Sequence, residues 1–112
     1  YFDKAISLKS GFHKLYYNKG NFVAKAGRYQ EAIAYYEQAL KYKANYTDAW
    51  LNMGNSYAAM NDYQDALKYF RMVEAAEPQN HKVLINIGIT YRILGDEVNA
   101  NAYFEKAKQY GQ

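Results

Sequence analysis

Asn18, Asn52 and Asn86 stand 34 residues apart, and their side chains are the ones in this sequence best suited to specific chemistry. A carboxamide carries donor and acceptor side by side, so it satisfies the N–H and C=O of an extended polypeptide whatever its sequence. That is the chemistry of holding, not of bond making. The catalytic alternatives are thin. The chain has no cysteine, which removes thiol nucleophiles and disulfide scaffolds. His13 and His81 are separated by 68 residues, too far along an array to share one metal, and are read as helix caps or exposed side chains. No glycine-rich phosphate loop, apolar carboxylate pair or nucleophile–base pair is evident. The chain is therefore read as non-enzymatic, with no metal and no cofactor.

The spacing of the asparagines is not theirs alone. Sliding the chain by 34 residues aligns Gly20, Gly54 and Gly88, then Ala32, Ala66 and Ala100. Phe2, Tyr36, Phe70 and Phe104 fall in register, as do Ala5, Ala39, Val73 and Ala107. Four such columns with helical spacing inside the period predict a stack of helix-turn-helix units. Gly27, Asn61 and Gly95 are placed where each hairpin must reverse through a left-handed residue. Second helices are expected over Tyr29–Tyr42, Tyr63–Ala76 and Glu97–Tyr110, with Asp62 and Asp96 as N-caps. Pro78 separates the second unit from the third, and Asn80 or Thr47 is positioned to cap the helix that follows. Ser10 and Gly11 are expected to close a helix before the first unit, whose own first helix runs from about Lys14 to Ala26.

These columns resemble the tetratricopeptide repeat. Counted from Thr47, its pattern of aromatic, apolar, Gly, Tyr, Ala, aromatic, Ala and Pro is Trp50, Met53, Gly54, Tyr57, Ala66, Phe70, Val73 and Pro78. The third unit gives Leu84, Ile87, Gly88, Tyr91, Ala100, Phe104 and Ala107. The first departs most, with Lys19, Val23 and Ala44 in place of an apolar residue, tyrosine and proline. The resemblance implies an all-α, right-handed solenoid of about seven helices in one domain. Residues 1–12 are the second helix of a preceding repeat, and 13–46, 47–80 and 81–112 are three full repeats. Small residues at the glycine and alanine columns are expected on facing surfaces of each hairpin, with aromatics beside them.

In this family the first helices line a concave wall. The resemblance therefore places Lys14, Tyr17, Asn18, Asn21 and Lys25 on it, then Leu51, Asn52 and Asn55, then Lys82, Ile85, Asn86, Ile89, Arg92 and Ile93. It implies a protein–protein interaction scaffold that binds an extended segment of a partner along that groove. Three amides making two hydrogen bonds each, at about 1 kcal/mol net apiece, supply roughly 6 kcal/mol. Association costs about 4–15 kcal/mol, so the ladder needs side-chain pockets such as those of Tyr17, Leu51 and Ile89. The carboxylate clamp by which some relatives hold a Glu-Glu-Val-Asp tail matches at Asn21, Asn52 and Lys82. It fails at Tyr17 and Asn86, which removes two of the three cations that grip paired carboxylates.

The totals agree with this reading. Net charge is +3, unevenly spread: residues 13–46 hold six basic and two acidic side chains (+4), and residues 47–80 hold two basic and five acidic (−3). Acidic Asp48, Asp62 and Asp65 interrupt any basic stripe, which disfavours nucleic acid. Most of the 14 tyrosines recur at repeat positions, which favours packing over a platform for bases. The longest apolar run, Ala32 to Tyr36, falls far short of the roughly 20 residues of a membrane helix. No signal-like opening is visible, and a cytoplasmic location is favoured only by that silence. Two alternatives stand beside the scaffold reading: self-assembly through exposed solenoid ends, and service as the substrate-recruiting arm of a larger enzyme.

Overall fold

Three left-handed residues turn the chain back on itself. Gly27, Asn61 and Gly95 have φ of 84°, 65° and 87°, a region open to glycine and tolerated by asparagine. Around each, the backbone closes in the same way. The N–H of Arg28, Asp62 and Asp96 donates to the carbonyl of Val23, Tyr57 and Tyr91, at 3.0, 2.8 and 2.8 Å. These bonds satisfy carbonyls that a helix end would otherwise leave unpaired.

The computed structural model describes the backbone of residues 2–110 and the side chains of residues 11–110. It contains α1 (Phe2–Lys25), α2 (Tyr29–Tyr42), α3 (Thr47–Ala59), α4 (Tyr63–Ala76), α5 (His81–Ile93) and α6 (Glu97–Tyr110). The described residues include no strand. Pairs α1–α2, α3–α4 and α5–α6 form antiparallel hairpins, stacked into a body of 54 × 28 × 20 Å.

The expected break at Ser10 and Gly11 is absent. Both lie inside α1, which runs without interruption for 24 residues, so the described residues contain six helices, close to the seven expected. Glycine lowers helix stability by only about 1 kcal/mol and keeps its N–H donor, so without a left-handed turn it ends nothing. Gly11 has no positive φ. The register match of Phe2 and Ala5 with the later repeats concerns side chains outside the described residues.

Caps hold the later helices. Asp62 accepts from the N–H of Asp65 at 3.4 Å, Asp96 from that of Asn99 at 3.1 Å, and Asn80 from that of Val83 at 3.3 Å. Thr47 does not cap α3. It is that helix's first residue, and its hydroxyl donates to Glu77 Oε2 at 2.9 Å, tying the start of the second hairpin to its end.

The glycine column meets the aromatic column. A Cβ built on Gly20, Gly54 or Gly88 would stand 2.5, 2.6 or 2.7 Å from Cε1 of Tyr36, Phe70 or Phe104. The glycines therefore face rings across each hairpin, and Ala32, Ala66 and Ala100, all fully buried, complete the contact. Tyrosines seal the hairpins outside this core: Tyr57 stacks on Tyr69 at 5.6 Å and Tyr91 on Tyr103 at 5.7 Å. This is the packing role that their recurrence implied.

Candidate functional site: a groove across the first helices

Asn52 bridges the first two hairpins. Its Nδ2 donates to Tyr17 Oη and to Asn21 Oδ1, both at 2.9 Å. Tyr36 Oη donates to the same Asn21 oxygen at 2.6 Å. Four side chains from α1, α2 and α3 thus share one network. Both N–H donors of Asn52 and both lone pairs of the Asn21 oxygen are used within it. What remains on the two amides for a ligand is the Asn52 carbonyl oxygen and the two N–H groups of Asn21. One acceptor and two donors match the polar groups of a single extended peptide unit.

An open cleft of about 490 Å³ surrounds this network. Asn21, Lys25, Asn52 and Asn55 line it, with Ala24, Tyr29, Tyr36, Ser56 and Ala59. Tyr17 lies beneath, its ring 5.9 Å from that of Tyr36 and 5.0 Å from that of Tyr46. Burial, then the neighbouring Tyr17, pushes the Tyr36 phenol up to about 12, so it stays a neutral donor at any physiological pH. Burial followed by Tyr17 also raises Tyr46.

The other expected wall residues are distributed differently. Asn18 does not enter this cleft. It lines a separate recess of about 430 Å³ with Leu15, Lys19, Phe22, Val23 and Tyr35. Asn86 is half-buried on α5, and its backbone carbonyl accepts from Thr90 Oγ1 at 2.7 Å. Lys14, Lys82 and Ile89 are exposed. Arg92 is exposed but leans on α6, its guanidinium 4.9 Å from the centre of the Phe104 ring. The regular ladder of three equivalent amides is therefore replaced by one engaged amide, Asn52, and two others in different surroundings.

Sequence reasoning missed Tyr36 and Ser56. Tyr36 sits in the column otherwise occupied by Phe2, Phe70 and Phe104, and its extra hydroxyl was the available signal. The histidines hold no shared site. The ring of His13 lies edge-on to that of Tyr46 at 5.2 Å, and His81 Nδ1 is 3.2 Å from the Ala107 carbonyl. No group of metal-ligating side chains occurs among the described residues. No described helix is long and apolar enough to cross a membrane.

Comparison with known proteins places this geometry. A family model described as Tetratricopeptide repeat matches residues 23–85, and a second of the same description matches residues 81–110. The chain belongs to the tetratricopeptide repeat family. The family's fold supports protein–protein interaction, and its members are generally non-enzymatic scaffolds. No curated protein matches. Among solved structures, MamA is similar with a TM-score of 0.87 at 24% identity, covering 97% of this chain and 64% of that one. A second MamA structure gives 0.84 at 24% identity, covering 96% and 59%. The chain thus spans about three-fifths of the length of these two. The second tetratricopeptide domain of Spaghetti (RPAP3), bound to the HSP90 peptide SRMEEVD, gives 0.85 at 20% identity and covers 96% and 98%. At these identities the likeness is one of fold.

Proposed function

We propose that this chain is a non-catalytic interaction module that receives an extended segment of another protein along its first helices, α1, α3 and α5, centred on the cleft between α1 and α3. The observation that carries the reading is the Asn21–Asn52 pair. It is fixed by Tyr17 and Tyr36 through internal hydrogen bonds of 2.6–2.9 Å, and it leaves one acceptor and two donors of the pair free toward the open cleft. Pre-fixed polar groups lose little side-chain entropy on binding, a cost of about 0.5–1.5 kcal/mol per side chain that a peptide site gains by avoiding. Repeats 13–46, 47–80 and 81–112 are the working division, one hairpin each. Nucleic acid is not the expected ligand, since the cleft's one cation, Lys25, stands beside neutral side chains.

The RPAP3 domains were solved with an HSP90 peptide SRMEEVD, which supports an extended peptide as the class of ligand. The same acidic tail fits this chain poorly. Tyr17 and Asn86 stand where the clamp resemblance calls for cations, and Tyr17 is committed to Asn52. Isothermal titration against an immobilisation-free peptide panel tests the reading. Binding should weaken about tenfold in Asn21→Ala, the loss expected for charge-neutral hydrogen bonds. Equal affinity of wild type and Asn21→Ala for every binding peptide would reject the cleft as the site.

A second reading rests on the α1 end of the stack. Phe22 and Leu15 are 76% and 45% exposed, whereas their counterparts Ser56, Thr90, Ala49 and Val83 are buried. Exposed apolar surface of this kind marks a contact face, and self-assembly through it is the alternative. Sedimentation velocity of wild type and Phe22→Ser across concentrations decides it: a concentration-dependent increase that Phe22→Ser removes supports assembly.

A further inference from the structure

The first helices change character along the stack. Tyr17, Asn21 and Lys25 in α1 are followed one repeat later by Leu51, Asn55 and Ala59 in α3, and one repeat later again by Ile85, Ile89 and Ile93 in α5. Each set is spaced i, i+4, i+8, so each forms one stripe along its helix. Asn21, Lys25, Asn55 and Ala59 line the cleft, and the repeat puts Ile89 and Ile93 on the equivalent face of α5. Those two isoleucines are 44% and 52% exposed. Leu94 and Val98, at the α5–α6 turn, are exposed as well. This stripe thus runs from amide and ammonium groups, through a mixed segment, to an aliphatic one that Asn86 and Arg92 flank on α5.

We propose that the groove selects segments with a matching polarity gradient: acidic or amide side chains over α1, and one or two large aliphatic side chains over α5. This rests on the peptide-groove reading above and adds the chemistry of the ligand. Lys25 supplies the only charge lining the α1–α3 cleft, and its complement is a carboxylate. The three isoleucines offer no hydrogen-bonding group, so a polar ligand group laid directly on them would lose water without recompense. An aliphatic one would gain by the same contact. Packed helices stand roughly 10 Å apart and an extended chain advances about 3.3 Å per residue. The two ends of the gradient are therefore read by residues about six apart.

The test uses fluorescein-labelled heptapeptides in anisotropy titrations. One is Asp-Asp-Ser-Gly-Ser-Leu-Leu, one its reversed sequence, and two replace the leucines or the aspartates by serine. The better-oriented acidic–aliphatic peptide should bind at least roughly tenfold more tightly than its leucine-free form. Ile89→Asn should erase that difference, and Lys25→Ala should erase the preference for aspartate. Ile93→Thr, at the more exposed position, is the second variant should Ile89→Asn lower the melting temperature. Binding that ignores the leucines, or that Ile89→Asn and Ile93→Thr leave unchanged, overturns the gradient while the groove reading stands. No binding by any peptide sinks both. A wild-type dimer dissolved by Ile89→Asn overturns the gradient too, and gives the stripe to a second copy.

Discussion

Gly54 lies directly against the ring of Phe70: a Cβ on the glycine would stand 2.6 Å from Cε1 and 2.7 Å from Cδ1. Phe70 is itself buried between hairpins and has no free side to move toward. Gly54→Ala is therefore an overpacking change and should cost roughly 1–3 kcal/mol, despite alanine's better helix propensity. In a Phe70→Leu background the penalty should shrink, because the narrower side chain leaves room. Urea denaturation of the four-member cycle measures it. Equal cost in both backgrounds would mean that the ring contact is not the cause.

Gly11→Ala should act in the opposite direction. Gly11 lies inside α1 with nothing within 4 Å of an added Cβ, so alanine should stabilise by about 0.5–1 kcal/mol. At a left-handed turn the same change would destabilise. A lowered melting temperature on Gly11→Ala would restore the break and contradict the continuous helix.

Asn52→Ala should lower stability as well as binding. It removes two donors from a half-buried network, depriving Tyr17 Oη of its donor and leaving Asn21 Oδ1 with Tyr36 alone, at about 1–2 kcal/mol. Asn55→Ala, at an exposed neighbour in the same cleft, should leave stability within about 0.5 kcal/mol. Coupling of Asn52→Ala with Tyr17→Phe in a double-mutant cycle should exceed roughly 0.5 kcal/mol. Strict additivity would show that the bridge carries no stability.

Alkaline pH should weaken the fold through its phenols. Burial, then Tyr17, raises Tyr36 to about 12; burial, then the hydrogen bond to Glu74, raises Tyr103 to about 12. An unfolded tyrosine ionises near 10, and a raised folded value favours the neutral form. The contribution is thus complete below pH about 10 and lost as pH climbs toward 12. Urea midpoints between pH 8 and 12 should fall, and fall less in Tyr36→Phe. An identical slope in the variant would exclude Tyr36 as a contributor.

The spacing of small and aromatic residues determined most of this fold. Left-handed turns at Gly27, Asn61 and Gly95 and the bounds of α2, α4 and α6 are local matters of backbone sterics and capping, and a repeated pattern states them three times. Ser10–Gly11 was misleading because the same two residues serve a turn or a helix interior, and distant packing decides between them. The groove was legible as a set of helix positions, since Asn21, Lys25, Asn52 and Asn55 do converge on one cleft. What those amides are free to do was not. Only the meeting of α1, α2 and α3 in space set the Asn52 donors on Tyr17 and Asn21 and brought the Tyr36 hydroxyl to the same oxygen. Hydrogen bonds between residues 15 to 35 positions apart depend on how helices are stacked, and no periodicity along the chain encodes which partner a side chain finds.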